Sequence, residues 1–145
     1  MRQETFRSYL LAILLLIPSL ALADWEPTEV VGLTYPRAAR LARISGVVVL
    51  RVSLDNQGSV TGTTVLSGHP VLAQAAGENA QEWKFKKSDR SSTSEDSILV
   101  YRFSLSGTCA GDDCGESFEV EYPNFIMVRS AMPSVQPTIG QRKPQ

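Results

Sequence analysis

Histidine is almost absent from this sequence, since His69 is the only one in 145 residues. One histidine cannot form a histidine-based metal cluster, and a Ser-His-Asp site would have to be built on this single residue. His69 stands beside Pro70 at a predicted helix start, where a capping or simply exposed role is sufficient. Phosphate-binding glycine loops, haem-attachment motifs and paired catalytic carboxylates are also missing. We therefore expect no enzyme, no metal, no cofactor and no small-molecule substrate; a small hydrolase that uses His69 is the weakest alternative.

An excess of one charge is also missing, because 14 basic residues face 15 acidic ones and the net charge is -1. Surfaces that bind nucleic acid normally carry a marked basic excess. We therefore expect no nucleic-acid partner. Hydrophobic residues make up 43% and charged residues 20% of the chain. This is the composition of one ordinary globular domain.

Long apolar runs are missing after Ala23. Arg2 and Arg7 precede the apolar stretch Tyr9 to Leu20, and Ala21-Leu22-Ala23 fits the small-x-small cleavage rule. This pattern predicts a signal peptide over residues 1–23, cleaved after Ala23, and a periplasmic location. The alternative is an uncleaved inner-membrane anchor, but the stretch is shorter than the ~20 residues of a spanning helix and Pro18 interrupts it.

Cysteine occurs only twice, at Cys109 and Cys114. A pair of cysteines in an exported domain is expected to form a disulfide, which here would fix a tight turn and stabilise the fold by about 2 kcal/mol. Redox chemistry usually uses a closer Cys-x-x-Cys spacing. The structural interpretation is therefore preferred.

The remaining sequence predicts an α+β fold from its hydrophobic periodicity. Proline at the first turn predicts a helix over Pro36 to Ile44 that Gly46 ends, and apolar residues at helical spacing predict a second helix over Val71 to Trp83. Alternation predicts strands over Val47 to Leu54, Val60 to Leu66, Ile98 to Leu105 and Phe118 to Tyr122, the last paired with residues 98–105. Asp55 to Gly58 is a hairpin turn, Ser88 to Ser97 is a polar loop, and Asn124 to Val128 continues as an extended segment.

These elements divide the chain into five parts. A short lead-in over residues 24–33 follows the signal peptide, and the folded domain covers residues 34–107. Residues 108–129 hold the disulfide loop and an extra strand. From Ser130 onward, three prolines and few large apolar residues predict a disordered tail over residues 130–145.

From Tyr35 to about Ser106, the order of these elements resembles the TonB C-terminal domain family. The resemblance is carried by an ordered set of positions rather than by one motif. The matching positions are Tyr35-Pro36, Ala39, Gly46, Val52-Ser53-Leu54, Asp55 with Gly58, Val60, Val65-Leu66-Ser67, Ala76, Trp83 and Phe85. We assign structural roles to the motif residues Tyr35, Pro36, Gly46, Gly58, Trp83 and Phe85, with Trp83 and Phe85 as core anchors.

The resemblance implies a small antiparallel sheet of three strands, here with an extra C-terminal strand, and two helices packed on one face. It also implies binding of a protein or peptide, such as a segment of an outer-membrane receptor, that adds as a strand beside the last strand of the domain. Carried onto this sequence, the partner-binding edge is Ile98, Leu99, Val100, Tyr101, Arg102, Phe103, Ser104 and Leu105.

Two features of this chain depart from the pattern of the family. No long proline-rich spacer separates the apolar segment from the domain, so we expect a binding domain that does not transduce energy by itself; the alternative is a membrane-anchored accessory of a TonB-dependent transport system. The appended segment Cys109 to Val128 could also pair with residues 98–105 and occupy that edge. Binding would then use another edge, a homodimer contact or the cysteine loop.

Overall fold

The computed structural model describes residues 25–88, 95–110 and 114–134, so the predicted signal peptide lies outside the described residues. These residues form seven strands and two helices. The strands are β1 (Trp25–Glu29), β2 (Gly46–Leu54), β3 (Val60–Ser67), β4 (Lys84–Lys87), β5 (Asp96–Cys109), β6 (Ser117–Glu121) and β7 (Phe125–Pro133). The helices are α1 (Arg37–Leu41) and α2 (Pro70–Gln81).

The main sheet has five strands in the order β3-β2-β5-β7-β6, and β1 pairs with β4 in a separate two-stranded sheet. All neighbours in the main sheet are antiparallel except β5 and β7, which are parallel. The predicted α+β class and the two helices are therefore confirmed, but the prediction of a purely antiparallel sheet is wrong. The chain after β5 forms two strands, and the second of them, β7, runs parallel to β5.

The core lies between the main sheet and the two helices. The strand register aligns Val48, Tyr101 and Ile126 in one row across β2, β5 and β7, and all three are fully buried. Burial of such side chains contributes about 1.5–3 kcal/mol each, which makes this face the main source of stability. Both helices lie on this face, because Gly77 of α2 lies close to Thr63 of β3 and Arg40 of α1 contacts Ser130 of β7.

Helix α1 is shorter than the predicted span of residues 36–44 and ends before Gly46. Arg43 adopts a left-handed conformation with φ 54°, and the amide groups of Arg43 and Ile44 donate to the carbonyl groups of Arg40 and Ala39. This is the Schellman arrangement, in which a residue with positive φ directs the chain away from the helix. The predicted stop at Gly46 is therefore wrong, and Arg43 takes that role.

Helix α2 confirms the predicted second helix, with bounds shifted by one residue at its start and two at its end. Pro70 occupies the first turn, where its missing N–H group leaves no hydrogen bond unmade. Leu72, Ala76 and Ala80 are fully buried on one face. A Cβ atom on Gly77 would lie 3.5 Å from the Thr63 hydroxyl, so the helix packs closely on β3.

Several segments fold differently from their predictions. Part of the lead-in forms β1, and the lysine-rich segment after α2 forms β4. Strand β6 pairs with β7 rather than with residues 98–105. Strand β7 continues to Pro133, so the prediction of a tail that is disordered from Ser130 is wrong as far as residue 134. The rest of that tail and most of the predicted polar loop lie outside the described residues.

Candidate partner-binding edges of the sheet

The predicted partner-binding segment, residues 98–105, lies in the middle of the sheet and is not an edge. On one side, residues 96–103 of β5 pair with β2. On the other side, the same strand pairs with β7 from Val100 onward. The expectation of an edge is therefore corrected, because the appended segment supplies the strand that completes this side of the sheet. Partner binding at residues 98–105 would require β7 to leave.

The side chains of this segment divide between the two faces of the sheet. Leu99, Tyr101 and Phe103 belong to the core, whereas Arg102 is exposed on the opposite face. The Tyr101 hydroxyl donates to Oδ1 of Asn79 at 3.0 Å, and burial raises the pKa of Tyr101. These inward side chains hold the domain together and are not available to a partner.

Strand β7 and the segment before it are held against the rest of the domain by apolar, ionic and covalent contacts. Ile126 and Val128 are fully buried, and the burial of each contributes about 1.5–3 kcal/mol. Arg40 of α1 forms a 2.7 Å ion pair with Glu116, just before β6. The predicted disulfide between Cys109 and Cys114 is present and closes the turn from β5 toward β6. The β6–β7 hairpin is therefore part of the fold.

Strand β3 is one of the two outer strands of the main sheet. It spans eight residues and pairs only with β2, so the main-chain groups on its other side are not used by the sheet. It contains no charged residue and no proline, and Val65 and Leu66 are 51% and 45% exposed. Natural edge strands are commonly protected by charges or proline. The sequence of β3 has neither kind of protection.

Strand β6 is the other outer strand and differs in chemistry. It has five residues, pairs only with β7, and carries Glu119 and Glu121. Glu119 forms a 3.0 Å ion pair with Arg129, whereas Glu121 has no salt bridge with a described residue. The two edges therefore offer the same backbone groups in different electrostatic settings: β3 is uncharged and β6 is acidic.

The motif residues have structural roles. The Tyr35 hydroxyl donates to the carbonyl of Ile44 at 2.6 Å, its ring packs edge-on against Phe103, and burial raises the pKa of Tyr35 to about 12. Trp83 is fully buried beside Phe85. Pro36 directly precedes α1, and Gly46 begins β2 with φ 153°, a conformation that side chains rarely adopt.

Gly58 brings the β2–β3 turn against β4. Its φ is 79°, its carbonyl accepts a 2.8 Å hydrogen bond from the amide of Phe85, and a Cβ atom at this position would lie 1.7 Å from the Phe85 carbonyl oxygen. Only glycine fits both the conformation and the space.

Sequence reasoning missed Asn79, which links the lead-in, helix α2 and strand β5. Its Nδ2 group donates to the carbonyl of Val31, while its Oδ1 atom accepts from Trp83 and Tyr101. A polar residue on the buried face of a helix is the signal that could have identified it. Asn79 fixes the lead-in against α2 and β5.

Catalytic and metal-binding groups do not come together in the part of the chain that the structure describes. His69 is exposed at the start of α2 and makes no capping hydrogen bond with its side chain. No group of three or more metal-ligating side chains occurs among the described residues. Among those same residues, neither helix is long and apolar enough to cross a membrane.

Comparison with known families identifies the fold. The family model described as Gram-negative bacterial TonB protein C-terminal matches residues 31–105. The chain belongs to this family. Domains of the TonB C-terminal family are non-enzymatic, protein-interacting domains of the bacterial envelope. Searches of the curated proteins and of the solved structures found no match.

The match ends at Leu105, inside β5. The cysteine loop, β6 and β7 therefore lie beyond the part that carries the family resemblance. This TonB C-terminal domain differs from the expected three-stranded core by the two strands that extend its sheet past β5.

Proposed function

We propose that this chain is an exported periplasmic binding domain that takes a strand of a protein or peptide partner at the edge of β3. The single observation that carries the proposal is the contrast between β5, which is paired on both sides, and β3, which is long, uncharged and paired on one side. An added strand would satisfy the unpaired main-chain groups of β3.

The exposed side chains of β3 also support contact with an added partner strand. Val65 aligns with Leu50 and so lies on the same face as the core, yet half of it is exposed. A side chain from an added strand would cover Val65 on this face. The main chain would supply most of the attraction, and Val65 with its neighbours would supply selectivity.

The partner class follows from the family. TonB C-terminal domains interact with proteins such as outer-membrane receptors, and a receptor segment is the partner that we propose here. The domain acts as a binding module rather than as an energy transducer, because the sequence provides no long spacer between its apolar segment and β1. A homodimer through the same β3 edge would compete with partner binding.

A binding experiment tests the use of β3. The domain from Asp24 onward is titrated with labelled peptides from the N-terminal segments of outer-membrane receptors, and fluorescence anisotropy reports the affinity. Val65→Lys places a charge on the edge and should weaken binding of any captured peptide by about tenfold or more, since charged edges resist strand pairing. The matched control, Leu41→Lys, changes a similarly exposed apolar residue at the end of α1. Equal affinity of wild type and Val65→Lys would refute binding at β3.

A membrane-anchored accessory of a TonB-dependent system is the second candidate, because the apolar stretch from Tyr9 to Leu20 could be retained. N-terminal sequencing of the exported protein distinguishes the two forms. A mature protein that begins at Asp24 removes the anchored form, whereas a retained N-terminus rules out release into the periplasm.

A further inference from the structure

A groove lies beside β6, at the border of the main sheet opposite β3. Its volume is about 350 Å³, and it runs between residues 32–34 of the lead-in and residues 116–118 at the start of β6. A Cβ atom on Gly32 would lie 4.0 Å from the Phe118 ring. At the other end of β6, the neighbouring Glu26 carboxylate raises the pKa of Tyr122. The lead-in therefore lies close to the start of β6, and Glu26 lies near the residue that follows its end.

The backbone of β6 is unused on this side. Strand β6 pairs with β7 through all five of its residues. Apart from this pairing with β7, no main-chain hydrogen bond joins residues 117–121 to the lead-in or to another described segment. The lead-in thus lies beside the start of β6 without pairing with it, and the main-chain groups on the outer side of β6 are not used by the sheet.

The side chains of β6 alternate between an acidic row and an apolar row. Phe118 and Val120 align with the buried Val128 and Ile126, so they face the core side. Glu119 and Glu121 align with Met127 and Phe125 on the opposite face. A strand added outside β6 would place every second residue beside the glutamates and the others beside the apolar row.

The charged side chains near β6 indicate which kind of segment would bind there. Glu121 lies on the outer face without a salt bridge to a described residue, and Glu119 lies on the same face in its ion pair with Arg129. Glu26 adds a third carboxylate near Tyr122. Opposite charges on neighbouring strands attract, whereas like charges destabilise the pair. We propose that this groove, which we call the β6 groove, binds an extended segment in which lysine or arginine alternates with apolar residues. Its basic side chains pair with Glu119 and Glu121, and its apolar side chains enter the groove beside Leu33 and Phe118.

Two peptides of equal composition test the alternation. The probe is labelled Thr-Lys-Val-Lys-Val-Lys-Thr, and the comparison peptide carries the same residues in the order Thr-Lys-Lys-Lys-Val-Val-Thr. The alternating peptide should bind the domain about fivefold or more tightly, because only it can direct all lysines to one face of a strand. Equal affinity for both orders would show that the domain attracts basic peptides without a groove and would overturn the proposal.

Variants locate the site. Glu121→Lys should weaken binding of the alternating peptide by about three- to tenfold, since it replaces a cross-strand attraction with a repulsion. Glu95→Lys makes the same charge change at an exposed position just before β5 and should leave the affinity unchanged. Equal losses in the two variants would refute a local site.

The β3 edge provides a separate control. Val65→Lys should not alter binding of the alternating peptide, because the β6 groove lies at the opposite side of the sheet. Loss of binding in Val65→Lys with retention in Glu121→Lys would assign the peptide to β3 and contradict the proposal. Failure of the β6 groove would leave the proposal for β3 intact.

Discussion

At the scale of the residue, Gly58 has the strictest requirement. A side chain here would overlap the Phe85 carbonyl and would also force a residue with Cβ into φ 79°. Gly58→Ala should therefore lower the free energy of unfolding by more than about 2 kcal/mol, as measured by urea denaturation. Gly62→Ala is the control, because nothing lies within 4 Å of a Cβ atom there. Equal effects of the two substitutions would contradict this explanation.

Arg43 is the opposite case, because it has a side chain at a position whose backbone conformation favours glycine. The left-handed conformation costs a residue with Cβ about 1–2 kcal/mol, and Arg43 makes the turn after α1 at φ 54°. Arg43→Gly should raise the stability of the domain by up to about 1 kcal/mol, because the extra freedom of glycine in the unfolded chain offsets part of the gain. A thermal melting temperature below that of the wild type would count against this interpretation.

Tyr35 should make stability depend on pH in the alkaline range. Burial raises the pKa of Tyr35 to about 12 in the folded chain, whereas an unfolded tyrosine has a pKa of about 10. As the pH rises, Tyr35 therefore loses its proton in the unfolded chain before it does so in the folded chain. The contribution of Tyr35 to the free energy of unfolding is complete below pH 10 and is lost as the pH rises toward 12. Tyr35→Phe should show a smaller fall in unfolding free energy between pH 9 and 11. Identical slopes for both proteins would exclude Tyr35 as the cause.

At the scale of the element, local pattern predicted some segments and not others. Strands β2 and β5 and helix α2 were predictable because their apolar residues recur at the spacing of strand or helix. Strand β4 was missed because three of its four residues are lysines and only Phe85 is buried. Strand β7 was only partly predicted, because arginine, serine and proline gave its second half the composition of a tail.

The disulfide helps to attach the β6–β7 hairpin to the end of β5. Cys109 ends β5, and Cys114 precedes β6 and is buried. Replacement of both cysteines by serine should lower the unfolding free energy by about 2 kcal/mol, the loop-closure contribution of so short a ring. Amide exchange in β6 should increase more than exchange in β3. Faster exchange confined to β3 would contradict this assignment.

At the scale of the whole molecule, the position of the open edge could not be predicted from the sequence. Residues 98–105 were correctly predicted as a strand, and the alternation of their side chains agrees with the burial of Leu99, Tyr101 and Phe103. Whether a strand lies at an edge depends on which distant segment pairs with it, and local pattern carries no such information. Here β7 pairs with β5 although the cysteine loop and β6 lie between them in the chain, and this pairing leaves β3 and β6 as the borders of the sheet.

The central claim is that a partner strand enters at β3 while the β5–β7 pairing stays intact. Amide hydrogen exchange of the domain, measured with and without a bound receptor peptide, tests this claim most directly. We expect slower exchange across residues 60–67 on binding, with no change in β5 or β7. Faster exchange in β7 together with unchanged exchange in β3 would mean that the peptide displaces β7 from β5, and it would contradict the account.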